Sequence, residues 1–347
     1  KDEDFVTRLF TANTHTEILF FSSEGMVYKE KVWRLPVGSP QSRGKALVNI
    51  FPLAADERIE SVMPLPDDEE SRNELDVMFA TKTGNVRRNK LSDFIRVNRN
   101  GKIAMKLEED ADDGIVSVKI CSEKDDILLT TALGQCIRFQ VTDVRVFAGR
   151  NSTGVRGIRL GEGDEVISMG ILRHMDVTSE EARAYLKHAA AMRRAATGEE
   201  EEVSDDDEEA VEKASLSTER LAELGAAEEF VLTIADDGMG KRSSAYDYRV
   251  TGRGGKGLVA QNIWGRDKKK GPVKQVAQSF PVDDGDQVML VTDAGQLIRT
   301  PVEQIRIAGR STGGVWVLRT AEGERVVSVA RLVEDAETAM EEDGGAE

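Results

Sequence analysis

The sequence predicts an all-β fold, a propeller-like disc of about five four-stranded blades. Three observations carry that reading. Five segments align: "ILFFSSEGMVYKEKVWRL", "VMFATKTGNVRRNKLSDF", "ILLTTALGQCIRFQVTDV", "FVLTIADDGMGKRSSAYDY" and "VMLVTDAGQLIRTPVEQI". Their turn glycines, Gly25, Gly84, Gly134, Gly238 and Gly295, are spaced 59, 50, 104 and 57 residues apart, a blade-like period once the long interval is seen to hold an insertion. Each segment is followed by two further β-branched runs, which brings the count to four strands per repeat.

Within a repeat, the first arm is rich in Val, Ile, Leu, Phe and Thr, as a buried strand requires. A polar turn ending in Gly supplies the residue with φ > 0 that a tight hairpin needs. The second arm alternates, as in "QLIRTPV". A Gly/Arg/Lys segment follows, and then the third run: "ALVNIFPL", "KIAMKL", "GVRGIRL", "GLVAQNI" or "GVWVLRT". The fourth run opens the next repeat, as in "IESVMPL" and "VISMGIL". Such repeats cannot bury an apolar face alone and stack radially.

The disc is expected over residues 1–333, with repeats at 4–59, 59–115, 115–166, 166–273 and 273–333. Residues 175–228 interrupt the fourth repeat. "TSEEARAYLKHAAAMRRAATG" reads as a helix with Thr178 and Glu181 in capping-box spacing and Gly198 as its stop, and "STERLAELG" as a short second helix. Between them, "EEEEVSDDDEEAVE" has ten acids and no base and is expected to be disordered, like the tail 334–347.

The net charge of −16 is misleading as an average. Residues 175–228 hold 16 acids and 6 bases, and 334–347 hold 7 acids and no base, which leaves the repeats close to neutral. Cys121 and Cys136 are too few and too isolated for a disulfide framework or a cysteine zinc site, and His15, His174 and His188 are scattered. No apolar run reaches membrane-spanning length and the N-terminus lacks a signal-peptide form. The chain opens at Lys1, as a piece of a longer protein would.

One stretch invites a different reading. In "TGRGGKGL", residues 251–258, Gly252, Gly254 and Gly257 spell a dinucleotide fingerprint. That fingerprint must open a helix and have an acid about 20 residues on, and here "LVAQNIW" follows with no acid at that distance. The same place in every repeat is rich in Gly, Arg and Lys: "PQSRGKAL", "VNRNGKIA", "AGRNSTGVRG", "TGRGGKGL" and "AGRSTGGV". A catalytic loop is used once, whereas a loop used five times bends the chain or builds a distributed surface. Glycine-rich backbone lets a phosphate approach closely, beside Arg or Lys. With aromatics at 5%, contact to duplex backbone is favoured over base stacking.

These motifs resemble the C-terminal domain of the DNA gyrase A subunit. The likeness runs from "DFVTRLFTANTHTEILFFSSEGMVY" through "RNSTGVRGIRLGEGDEVIS" to "VMLVTDAGQLIRTPVEQIRIAGRSTGGV". It implies a β-pinwheel, whose blades exchange strands with their neighbours, around whose basic rim duplex DNA wraps to give handed strand passage and negative supercoiling. The cations this assigns to DNA are Arg43, Lys45, Arg87, Arg88, Arg99, Lys102, Arg138, Arg150, Arg156, Lys241, Arg242, Arg253, Lys256, Arg299 and Arg310. It implies no catalysis and no cofactor in this chain, with ATP and Mg used by the holoenzyme. The implied partners are the rest of the gyrase A subunit and the gyrase B subunit, in an A2B2 complex in the bacterial cytoplasm, at the nucleoid. The family's first blade carries a Q-R-R-G-G-K-G box, expected upstream of Lys1, and "RGGKG" at 253–257 copies most of it in a later blade. The acidic insertion and tail would tune wrapping or merely aid solubility. Two neighbouring readings are the equivalent domain of the topoisomerase IV C subunit, whose blades are less regular, and a propeller that binds proteins.

Overall fold

The structure, a computed structural model, describes residues 12–39, 42–108, 112–149, 152–198, 216–264 and 274–333. Arg150, the acidic run from 199 and the tail from 334 lie outside the described residues. With the run that opens the next repeat counted instead with the hairpin it pairs to, the first repeat forms β1 (Glu17–Ser22), β2 (Met26–Lys31) and β3 (Ile59–Pro64), and the second β4 (Asp76–Thr81), β5 (Asn85–Lys90), β6 (Lys102–Ile103) and β7 (Ile115–Cys121). The third gives β8 (Asp125–Thr131), β9 (Gln135–Gln140), β10 (Val155–Arg156) and β11 (Val166–Arg173). The fourth gives β12 (Phe230–Ala235), β13 (Met239–Ser244), β14 (Leu258–Val259) and β15 (Val276–Val282), and the fifth β16 (Gln287–Thr292), β17 (Leu297–Pro301), β18 (Val315–Trp316) and β19 (Val326–Leu332).

The blades exchange strands. Each hairpin is flanked on its inner side by a long strand and on its outer side by a two-residue strand from the following repeat. The sheets run β3-β1-β2-β6, β7-β4-β5-β10, β11-β8-β9-β14 and β15-β12-β13-β18. The fifth holds three strands, β19-β16-β17, because no later repeat supplies its outer strand among the described residues. The corresponding run of the first repeat is not a strand: Leu47–Asn49 forms a 3-10 turn instead. Phe51 beyond it lies 4.7 Å from the ring of Phe20 and 5.3 Å from that of Tyr28, and so covers the outer face of the first blade.

The core lies between blades rather than within one. Leu19 and Phe21 of the first blade pack with Val77 and Phe79 of the second. Met78 and Ala80 pack with Ile127 and Leu129 of the third, and Leu232 and Ile234 with Val288 and Leu290 of the fifth. Thus the two faces of a first-arm strand are both buried, and the period-2 alternation there is lost. The inner strands β3, β7, β11, β15 and β19 surround a central cavity of about 640 Å³.

The insertion contributes α2 (Ser179–Thr197) and α3 (Thr218–Ala226), after a short α1 (Glu69–Glu74) in the second repeat that the sequence did not announce. Thr178 Oγ1 accepts from the Glu181 N–H, Glu181 answers the Thr178 N–H, and Gly198 ends α2 at φ 75°. Among the described residues no helix is long and apolar enough to cross a membrane.

Candidate nucleic-acid interface

The outer strand of each of the first four blades is supplied by a crossover. After its second arm the chain makes one 3-10 turn, as at Leu91–Phe94, Val141–Asp143, Ala245–Asp247 and Val302–Gln304. It then passes to the preceding blade, where the two-residue strand pairs. Leu258 and Val259 pair with Cys136 and Gln135, and Val155 and Arg156 with Val86 and Asn85. Glycine is required where this strand arrives. Gly257 has φ +80°, and a Cβ there would lie 2.2 Å from the Cys136 carbonyl oxygen. Gly252, five residues earlier, has open space around it.

The fifteen cations expected at the surface divide by burial. Arg87, Arg88, Arg138, Lys241, Arg242 and Arg310 are buried. Arg138 Nε lies 2.9 Å from Asp126, while its Nη1 donates to the Ala245 carbonyl at 2.7 Å and its Nη2 to the Arg173 carbonyl at 3.0 Å. Arg88 donates to Asp76 through Nε at 2.7 Å and reaches Glu123 through Nη2 at 2.7 Å. Arg242 donates to Ile305 O at 2.6 Å and Glu303 O at 3.0 Å, and pairs with Asp284. Lys241 donates to Ala260 O at 3.1 Å and Gly309 O at 2.8 Å, and Arg310 to Asp247 O at 3.0 Å. Arg87 donates to Asn89 at 2.8 Å and to Ser152 O.

The expectation of a phosphate contact is corrected for these six. The donors of Arg87, Arg88, Arg138, Lys241 and Arg242 are turned inward and hold the next repeat's turn or crossover against the blade, and Arg310, on the fifth crossover, donates back to the preceding repeat's turn. A buried cation survives only when paired and hydrogen-bonded, and here backbone carbonyls supply that. Burial also pulls the Arg242 guanidinium below its ordinary pKa, against the opposing pull of Asp284. Lys29 makes the same clamp in the first repeat, 2.9 Å from Glu17 and 2.6 Å from Ile95 O. Arg299 holds the same register in the fifth, opposite Met289, and is exposed because no further turn packs over it among the described residues.

Arg99, Arg156, Arg253 and Lys256 are exposed on the crossovers, and Lys102 is half-buried, donating to Arg96 O at 3.1 Å. Arg43 and Lys45 are exposed on the first repeat's loop, away from any exchanged strand. Arg253 donates to Asp143 O and Arg156 O, both at 3.0 Å, and so ties its loop to the preceding crossover. Backbone bonds continue that contact: Arg159 N–H to Gly255 O at 2.8 Å, and Asn262 N–H to Thr312 O at 3.1 Å in the next crossover. The third, fourth and fifth crossovers therefore form one band.

A further set of cations escaped the reading of the sequence. Arg96, Arg145 and Arg249 are exposed and Arg306 half-buried, each one residue after Ile95, Val144, Tyr248 or Ile305 on the chain leaving the turn. The written signal is the recurring "FIR", "DVR", "DYR" and "QIR", an apolar residue then Arg at one repeat position.

The 251–258 loop leads into the two-residue strand β14, so it lacks the helix N-terminus that a nucleotide phosphate site uses. Among the described residues no three His, Cys, Asp or Glu side chains are grouped as metal ligands would be.

A family model described as DNA gyrase C-terminal domain, beta-propeller, matches residues 16–66, 75–122, 125–173, 229–268 and 286–332. The helical insertion falls between its third and fourth segments. Over 342 residues the chain is 50% identical to the DNA gyrase A subunit of Granulibacter bethesdensis, covering 96% of this chain and 36% of that protein. Over 334 residues it is 36% identical to the DNA gyrase A subunit of Escherichia coli, covering 96% and 31%. The chain thus spans roughly a third of the length of these relatives. Among solved structures it is similar to the C-terminal domain of DNA topoisomerase IV (TM-score 0.70, 20% identity, 99% of this chain and 89% of that one). It is similar also to a DNA gyrase A C-terminal domain (TM-score 0.62, 20% identity, 93% and 84%), and at these identities both likenesses concern the fold. Five strand-exchanged blades, each matched by a segment of the same family model, lead to one conclusion: the chain belongs to the DNA gyrase C-terminal domain family.

Proposed function

We propose that the band of crossovers binds the backbone of duplex DNA and wraps it around the disc, so that a gyrase holding this chain passes strands with one handedness and introduces negative supercoils. The observation that carries this reading is the recurrence of exposed Arg and Lys on the crossovers of successive blades, with Arg96, Arg145 and Arg249 at one repeat position and the third, fourth and fifth crossovers bonded to one another. Arg99, Arg156, Arg253 and Lys256, with Arg96, Arg145 and Arg249, would meet phosphates. Arg43, Lys45, Lys102 and Arg299 extend the set, as does Arg150 from its sequence position. Each phosphate neutralised releases condensed counterions, so affinity should fall steeply with salt. Bending a site of 20–30 base pairs through 40–90° costs about 1–6 kcal/mol, which many weak contacts offset without reading bases. In this reading the chain is not itself an enzyme: ATP turnover and Mg-dependent cleavage belong to the rest of the gyrase A subunit and to the B subunit, in the bacterial cytoplasm. The test is Arg253→Ala with Lys256→Ala. Plotted against log salt, the log binding constant for duplex DNA should be shallower by about 2. An unchanged slope would remove this loop from the interface.

A further inference from the structure

We infer that the insertion helix α2 is an additional DNA-backbone contact, a basic rail that widens the interface where the third and fourth blades meet. The inference rests on the reading of the crossovers as the DNA surface. It reverses what the charge count of the insertion suggests. The insertion as a whole is strongly acidic, yet ten of its acids lie in 199–212, outside the described residues. The helix itself carries Arg183, Lys187, Arg193 and Arg194 against Glu180 and Glu181.

Three observations place this helix for the role. First, it is fixed. Tyr185 packs edge-on against Tyr246 with ring centroids 5.2 Å apart, Tyr185 Oη donates to Glu228 at 2.8 Å, and Tyr246 Oη donates to Leu224 O at 2.9 Å. Arg220 of α3 binds Glu181 at 3.1 Å and Asp176 O at 2.7 Å, which locks α3 onto the start of α2. Burial pushes the Tyr246 hydroxyl up to about 12, with Glu228 adding to it, so the tyrosine stays a neutral donor. Second, its anchor is the 3-10 turn Ala245–Asp247, from which Arg249 and the 251–258 loop leave. Thr178, Ala182, Arg183 and Leu186 on one side and Arg249 and Leu258 on the other line a groove of about 310 Å³. Third, three of its four cations share a face. At about 100° per residue, Arg183 and Lys187 stand one turn apart on one stripe, which Arg194 continues two turns later, opposite the buried Tyr185 and Ala189. Lys187 and Arg194 are exposed, and neither Arg183 nor Lys187 has an ion-pair partner among the described residues. A row of cations spaced by helical turns, rigidly held, beside Arg249 across an open groove, suits the regularly spaced charge of a duplex backbone.

The experiment measures binding of duplex DNA to the full chain across a salt series for Arg183→Ala/Lys187→Ala, for Lys187→Gln alone, and for Arg253→Ala/Lys256→Ala. The α2 double variant should bind about ten-fold more weakly at 0.15 M salt with a slope shallower by about 1–2, and Arg183→Lys/Lys187→Arg should restore both. Lys187→Gln, at an exposed site, should give about half the slope change and stands in if the double variant fails to fold. Wild-type slope and affinity in the α2 variants, with weakened binding in the crossover variant, would overturn the role of α2 and leave the crossover interface standing. Tighter binding by the α2 variants would likewise overturn it, and would assign the stripe to the chain's own acidic residues. Wild-type behaviour in both would remove the crossover interface as well.

Discussion

Arg138 and Asp126 face each other across the third hairpin with Nε 2.9 Å from the carboxylate, while the same guanidinium donates at 2.7 Å to the carbonyl of Ala245, 107 residues further along the chain. One side chain thus joins two strands of its own blade to the turn of the next. The acid's other oxygen lies 2.9 Å from His174 Nδ1, so the carboxylate is held from both sides.

Removing that arginine should destabilise the blade junction strongly. Arg138→Ala leaves a fully buried carboxylate without its cation, a change that typically costs about 3–5 kcal/mol. Urea unfolding reports it. Arg138→Ala with Asp126→Ala should cost less than the sum of the singles, since the uncompensated charge goes too.

Gly257 and Gly252 should behave oppositely. Gly257→Ala puts a Cβ at φ +80° and 2.2 Å from the Cys136 carbonyl, and should cost about 1–3 kcal/mol from backbone strain alone. Gly252→Ala meets nothing within 4 Å and should leave stability near wild type. Amide exchange at Leu258, whose strand pairs beside Cys136, should accelerate in the first variant only.

Both cysteines should be silent in the folded protein. Burial pushes Cys121 and Cys136 up to about 12, so at pH 8 the reactive thiolate is scarce as well as inaccessible. A chromogenic disulfide reagent should titrate no thiol in native protein and both after unfolding. Fast reaction of Cys136 in the native state would mean that the β9–β14 pairing opens readily.

Acid should weaken the first blade through Glu17. Burial pushes its pKa up, but the hydrogen bond and charge of Lys29, with Arg72 3.2 Å away, outweigh it and hold the carboxyl below its ordinary value. A depressed folded-state pKa contributes stability that is complete above the unfolded value and is lost as pH falls through the folded one. Glu17→Gln should therefore be less stable than wild type at pH 7, and the difference should shrink below the ordinary carboxylate range.

The hairpins were legible because their signals are local: a turn glycine, a β-branched arm, and one period repeated. The exchange of strands is implied by the family resemblance and not by local signals, since Leu258–Val259 is two residues long and its partners lie more than a hundred residues earlier. The burial of the clamping cations was missed for a related reason. In an alternating arm Arg138 looks solvent-facing, and only the next repeat's turn covers it. The sequence does hold a clue. Glu17 and Lys29, Asp76 and Arg88, and Asp126 and Arg138 stand twelve residues apart in three successive repeats, an acid awaiting a base at the same register. The fourth repeat breaks the spacing, with Phe230 in the acid's place and Asp284 supplying the charge from another element. The basic stripe of α2 was hidden by averaging its charge with that of its acidic neighbours.

Whether DNA takes a handed path around the band of crossovers can be decided by binding the chain to nicked plasmid, sealing the nick, and removing the protein. Topoisomers should be displaced in linking number in one direction, by an amount that rises with protein and is reduced by Arg253→Ala/Lys256→Ala. A distribution centred where it lies without protein, at concentrations that saturate the DNA, would contradict a handed wrap.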